Sequence, residues 1–252
     1  MSPEPGLVLL HGFTGSPASW DPIVARLPSS ARILRPALLG HCGAPAPDVS
    51  GFDHEVDRLA ALVRAEGLVD SRLVGYSLGA RVGLGLLLRH PALFTSAVLV
   101  GLHPGLPDPQ ARRRRRAEDE ALACLLESAG LPAFVSAWEA LPLFDTQRRL
   151  PEPLCARRRA IRLGHDPAGL ARALRTLGLG AMPDRHPALG DLSVPAIFVA
   201  GAEDGKFRDV AEDLVSRVSS ARLLVVPGAG HDVVLERPDA VASLLAGGGD
   251  SP

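Results

Sequence analysis

Apolar and polar positions alternate along this chain in two rhythms. Short unbroken apolar runs recur: Leu7-Val8-Leu9-Leu10, Leu73-Val74-Gly75-Tyr76, Ala97-Val98-Leu99-Val100, Ile197-Phe198-Val199-Ala200 and Leu223-Leu224-Val225-Val226. Runs of that length are what strands buried on both faces look like. Ala31-Arg32-Ile33-Leu34-Arg35-Pro36 reads as one further strand. Between the runs, apolar residues return every three or four positions. Phe52, Val56, Leu59, Leu62 and Val63 share one helix face over 52–66, and 20–27, 78–90, 210–218 and 238–246 also read as helices. Strand–helix alternation of this kind predicts a mostly parallel, doubly wound α/β sheet with helices on both faces.

The alternation lapses once. From 105 to about 190 there is no strand-like run, only the helical stretches 112–128, 133–140, 153–163 and 168–177. Strands resume after Pro195, so this segment is expected to be an insertion. It springs from the carboxyl ends of the strands, where open α/β sheets bind ligands, and is read as a helical cap over the site. The domain reading is therefore a core over 1–104 and 191–252 with a cap over 105–190. The glycine-rich end at 247–252 is expected to fray.

Composition narrows this only a little. The chain has 252 residues, 46% of them hydrophobic, enough for one large α/β domain with a sizeable core. A formal charge of −1 gives no general reason to bind nucleic acid or a membrane surface. Of 27 basic residues only Lys206 is lysine, which makes it conspicuous. Cys42, Cys124 and Cys155 are too few and scattered for a disulfide framework or a zinc site. No basic leader opens the chain, and no run reaches the roughly 18 apolar residues of a membrane span. The expectation is a cytoplasmic protein, monomeric or a small homo-oligomer.

Candidate chemistry centres on Gly75-Tyr76-Ser77-Leu78-Gly79. A strand before and a helix after make this the context of a nucleophile elbow, in which a sharp turn lifts Ser77 above the sheet. Glycines two before and two after provide the necessary room. A serine hydroxyl needs an imidazole to take its proton and a carboxylate to orient that imidazole. His231, in a glycine-rich loop after the last strand, is the candidate imidazole. Glu203 and Asp204 both follow the preceding strand, and Asp204 is preferred; Asp232 sits too close in sequence to reach its own neighbour. The N–H groups of Leu78 and Phe13 would form an oxyanion hole, with His11 shaping the first loop. Arg81, one turn past Ser77, is open to two readings, a pocket cation or an exposed helix arginine.

With these residues in view, the chain resembles the 2-succinyl-6-hydroxy-2,4-cyclohexadiene-1-carboxylate synthases of menaquinone biosynthesis, within the α/β-hydrolase fold. The marks are His11-Gly12-Phe13-Thr14-Gly15-Ser16, Gly75-Tyr76-Ser77-Leu78-Gly79-Ala80-Arg81, Leu102-His103-Pro104-Gly105-Leu106, Trp138-Glu139-Ala140-Leu141-Pro142-Leu143-Phe144 and Asp204-Gly205-Lys206-Phe207. The resemblance implies elimination of pyruvate from a small polyanionic substrate, with Ser77 as base and His231 and Asp204 behind it. It implies that Arg81 binds a carboxylate, that Arg115 (or else Arg116) does so from the cap, and that Tyr76, Trp138 and Lys206 face the pocket. No metal or organic cofactor is expected, because the sequence shows no His/Asp ligand cluster and no phosphate-binding glycine fingerprint. Two departures are Ala80, where a second glycine is usual, and Cys42, which replaces a common glycine and would reshape the pocket rim. The same triad also suits an esterase or carbon–carbon bond hydrolase; the cationic set Arg81, Arg115 and Lys206 separates the two. A non-catalytic binding protein is the remaining rival, and the intact triad argues against it.

Overall fold

The computed structural model describes residues 6–43 and 51–246. Six strands form one sheet: β1 (Leu7–Leu10), β2 (Ile33–Leu34), β3 (Ser71–Tyr76), β4 (Phe94–Val100), β5 (Ala196–Gly201) and β6 (Ala221–Val226). Their order is β2-β1-β3-β4-β5-β6, every pair parallel. The chain moves outward from β1 to β2, then returns to the other side of β1 and winds the opposite way. The order therefore reverses between β1 and β3, and the crevice at their carboxyl ends is where such sheets bind ligands. The loops that leave there carry His11 to Ser16 and Ser77.

Period-two alternation divides the strand side chains between two layers. Val8, Leu10, Leu73, Ala97 and Leu99 join one core with Phe52, Val56 and Leu59 of α2 (Phe52–Ala65), Leu84 of α3 (Leu78–Arg89) and Leu214 of α7 (Gly205–Arg217). Leu7, Leu9, Val74, Val98 and Val100 join the other, with Trp20, Ile23 of α1 (Asp21–Val24), Val233 of α8 (Val233–Glu236) and Val241 of α9 (Pro238–Leu245). Apolar faces buried on both sides within one chain are the build of a soluble fold.

Several expected elements change length for local reasons. The strand expected over 31–36 shrinks to Ile33–Leu34, an edge position that Pro36 cannot extend by hydrogen bonding. The helix expected over 20–27 is a 3-10 turn, Pro17–Trp20, followed by one α turn. The helix expected from 210 begins at Gly205, because the Asp204 carboxylate accepts the Phe207 N–H at 3.3 Å and caps it. The tail at 247–252, the first five residues and Pro45 and Pro47 lie outside the described residues.

Between β4 and β5 the chain is helical: α4 (Pro109–Glu139), α5 (Glu152–Leu163) and α6 (Pro167–Leu177), with 3-10 segments at Pro142–Arg149 and His186–Asp191. Asp108 starts α4 by accepting the N–H groups of Gln110 and Ala111. The two helices expected over 112–128 and 133–140 both lie within α4, parted at Gly130 (φ 75°, ψ 178°), a non-helical residue two before Pro132. This corrects the expectation about apolar runs, since α4 is long and apolar enough over 18 residues to pass as a membrane span. The bend interrupts it, and Ala123, Leu126, Leu131, Phe134 and Val135 pack on Leu170, Ala171 and Leu174 of α6. That small core also holds Phe13 and Trp138.

Candidate active site

Ser77 stands between β3 and α3 at φ 51°, ψ −104°, a backbone state that costs a non-glycine residue energy and is held by its surroundings. The Ser77 N–H donates to the Val100 carbonyl at 2.8 Å, and its own carbonyl accepts the Arg81 N–H at 3.0 Å. A Cβ on Gly79 would collide with the Leu10 carbonyl, and one on Gly75 would press on Ala80. The elbow glycines are thus a packing requirement of the turn.

The Ser77 hydroxyl donates to His231 Nε2 at 3.0 Å, and His231 Nδ1–H donates to Asp204 Oδ2 at 2.7 Å. Imidazole and carboxylate are both buried. Glu203 turns outward to Arg149 at 2.6 Å, which resolves the choice of acid in favour of Asp204. Asp232 is fully buried but serves elsewhere, pairing with Arg158 at 2.9 Å and capping α8. The loop before His231 is held by Glu236, whose carboxylate accepts the Gly230 N–H at 2.8 Å and the Thr146 hydroxyl at 2.9 Å. Gly101 adopts φ 62°, and a Cβ there would lie 2.8 Å from His231 Cε1. Its bare backbone is what lets the imidazole sit beside the end of β4.

The first loop is set by three histidines. His11 donates through Nδ1 to the Gly12 carbonyl (2.9 Å) and accepts the Leu38 N–H at Nε2 (3.2 Å). His41 donates to the Leu39 carbonyl and accepts from Thr14, while His165 donates to the Thr14 carbonyl and accepts from Cys42. Burial pushes all three below the ordinary histidine range, His11 to about 3, so they serve as neutral struts. Among the described residues the N–H groups of Phe13 and Leu78 donate to no protein acceptor, as an oxyanion hole requires. Cys42 departs from expectation. It is exposed, lies outside the cavity lining and adopts φ 52°, the left-handed backbone that explains a glycine at this position.

These parts open on a cavity of about 350 Å³ lined by Ser77, His231, Phe13, Leu78 and Tyr76. Its aromatic wall comes from Trp138, stacked on Phe134 (centroids 5.7 Å apart) and edge-on to Phe13 (5.2 Å), with Phe144 and Phe207 beside His231. Arg81, Arg115 and Lys206 line it as well. Arg81 spends one N–H on the Leu177 carbonyl at 2.7 Å, and Arg115 pairs with Asp119 at 2.8 Å. Arg116 turns away to the Gly180 carbonyl and a separate pocket, leaving Arg115 as the cap arginine. Desolvation, reinforced by Arg115, pushes the Arg81 guanidinium down to about 9. Among the described residues neither Arg81 nor Lys206 has a carboxylate partner.

The family model described as the alpha/beta hydrolase family matches residues 7–244. The chain belongs to the alpha/beta hydrolase family. Within it, a protein of Enterobacter sp. (strain 638), named as 2-succinyl-6-hydroxy-2,4-cyclohexadiene-1-carboxylate synthase, is 33% identical over 96% of this chain and 90% of its own length. One of the same name from Shigella flexneri serotype 5b (strain 8401) is 33% identical over 96% and 92%. The solved structure of MenH from S. aureus superposes with a TM-score of 0.92 at 28% identity, over 96% of this chain and 92% of that one. A thermophilic esterase from Thermogutta terrifontis follows at 0.82 and 25% identity, over 96% and 88%.

Arg158 and His103 are among the cavity residues of this hydrolase fold to which sequence reasoning gave no role. Arg158 lies mid-helix in Arg157-Arg158-Arg159, where nothing in the pattern singles out the buried member. His103 stood only within the Leu102-His103-Pro104-Gly105-Leu106 mark with no role of its own, although its place just past the end of β4 was a usable signal.

Proposed function

We propose that this chain is a carbon–oxygen lyase of the synthase type named above. It would eliminate pyruvate from 2-succinyl-5-enolpyruvyl-6-hydroxy-3-cyclohexene-1-carboxylate, in the cytoplasm and without a cofactor. The observation that carries this reading is the pair of cations without carboxylate partners, Arg81 and Lys206, in the cavity that holds the triad. A half-desolvated guanidinium with a second one beside it is poorly placed until an anion arrives. A substrate with several carboxylates meets that need, and a neutral ester does not.

In this mechanism His231 Nε2 takes the Ser77 proton, and Ser77 Oγ removes the ring proton α to the succinyl ketone. The pair left behind moves onto the ketone oxygen, held by the N–H groups of Phe13 and Leu78. When the carbonyl re-forms, a C2–C3 double bond forms, the ring C3–C4 double bond shifts to C4–C5, and the C5–O bond breaks, so that enolpyruvate departs with that bond's electrons, to be protonated to pyruvate. Asp204 keeps the His231 proton on Nδ1 and steadies the imidazolium. Arg81 and Arg115 hold substrate carboxylates, while Trp138 and Tyr76 shape the wall.

Pyruvate release from the enolpyruvyl substrate, measured beside hydrolysis of a short-chain aryl ester, tests the reading. Release that saturates with the polyanion, with ester turnover far slower, is expected. Efficient ester hydrolysis without pyruvate release would make the chain a hydrolase instead.

A further inference from the structure

Histidines outside the triad divide by what their ring nitrogens do. His11, His41 and His165 each spend both nitrogens on backbone groups. His103 spends one. Its Nδ1 accepts the Gly105 N–H at 3.2 Å, so the neutral ring carries its proton on Nε2. Among the described residues nothing in the protein accepts that N–H, and the ring lines the catalytic cavity. The loop that holds it is fixed by Gly101 (φ 62°), Gly105 (φ 112°) and an Arg185 N–H to Pro104 carbonyl bond of 2.8 Å.

One phenyl ring organises what surrounds this imidazole. Phe207 lies 4.3 Å from the His231 ring centre and 6.3 Å, edge-on, from that of His103. Lys206 Nζ sits 5.7 Å from the same phenyl centre. An ammonium with no carboxylate partner and an imidazole N–H with no acceptor therefore flank a single ring next to the catalytic histidine. Burial, with Lys206 and Arg81 nearby, holds His103 down at about 4, so it is uncharged near neutrality.

We propose that His103 and Lys206 form one carboxylate subsite of the catalytic cavity, in which His103 Nε2–H is the directional, uncharged donor. This rests on the polyanionic substrate argued above. Each half supplies what the other lacks. An ammonium is a compact point charge on a flexible stem and fixes no orientation. A ring N–H on an anchored loop fixes direction, and being neutral it adds no repulsion against Arg81 and Arg115. The two oxygens of one carboxylate take one donor each.

The test uses two substitutions that separate the ring's two nitrogens. His103→Asn keeps an acceptor near the Nδ1 position for Gly105 and loses the cavity donor. His103→Gln places an N–H near the Nε2 position and gives up the backbone contact. In steady-state pyruvate release, His103→Asn should raise KM about 10-fold with an unchanged melting temperature. His103→Gln should stay within about 3-fold of the original KM while melting earlier. Because both donors share one carboxylate, Lys206→Ala should cost less in the His103→Asn background than alone. An unaltered KM in His103→Asn, equal losses in both variants, or Lys206→Ala effects that simply multiply would each overturn the subsite. An unmodified chain that releases no pyruvate defeats the synthase reading itself; one that does, with His103→Asn at the original KM, defeats only this inference.

Discussion

The carboxyl edge of the sheet and the helical segment beside it both face one cavity, yet they hold their side chains by different means. At the sheet edge, backbone does the positioning. Ser77 is fixed by a strained turn, Asp204 by its cap on α7, and His231 by a loop whose Gly230 N–H is held by Glu236. In the helical segment, packing and ion pairs do it. Trp138 is set by Phe134 and Phe13, Arg115 by Asp119 and Arg158 by Asp232. In the mechanism proposed above, one region supplies reactivity and the other supplies selection. The fold supports many chemistries because the second can change while the first stays.

The sharpest break in that comparison comes from the reactive edge. Ser77→Ala or His231→Ala should each lower kcat by about 1,000-fold or more, and the double variant should be scarcely worse than either. Losses that multiply would mean the two side chains act separately. Pyruvate release in the three variants decides this.

Next in size is Arg81, which stands on the elbow helix but lines the cavity together with Arg115 and is proposed to act with the selecting wall. Arg81→Ala should lower kcat/KM for the polyanionic substrate by roughly 100-fold, the scale of a lost charge-assisted hydrogen bond in a partly dry cavity. Any measurable hydrolysis of a small neutral ester should hardly change. Equal losses on both substrates would make Arg81 a support of the elbow, through its bond to the Leu177 carbonyl.

These two regions also differed in how well they could be read beforehand. The meeting of Ser77, His231 and Asp204 was legible because backbone demands leave glycines behind. Gly75, Gly79 and the loop of Gly228 and Gly230 mark them in the chain. Strands β1, β3, β4 and β5 were legible for the similar reason that burial on both faces removes polar residues. Arg158 was not, since three adjacent arginines differ only in which faces inward, a matter of tertiary packing. The break at Gly130 was legible too, since Gly130 and Pro132 fall between the helical stretches 112–128 and 133–140. His103 was hidden among eight histidines until its hydrogen bonds showed one nitrogen left over.

A further effect falls on stability rather than turnover and concerns the buried histidines around the site. His11, His41, His103 and His165 have folded-state values below the ordinary 6.5, His11 at about 3 and His103 at about 4. Between those values and 6.5 the unfolded chain binds more protons than the folded one, so stability rises with pH across that window. It falls as pH drops below about 6.5, approaching roughly 1 kcal/mol per histidine per pH unit. Glu236, raised by burial, works the other way, but it is one group against four. Urea midpoints from pH 7.5 to 5 should decline in this manner, and a flat profile would contradict the neutral struts.

Elimination itself is tested most directly by the mass of the ring product. After complete turnover of 2-succinyl-5-enolpyruvyl-6-hydroxy-3-cyclohexene-1-carboxylate, elimination yields one pyruvate and a cyclohexadiene, whose masses add up to that of the substrate. Hydrolysis by the same triad would leave products heavier in total by one water. Products that sum to the substrate mass support Ser77 as a base beside a cation-lined wall; one added water would contradict it.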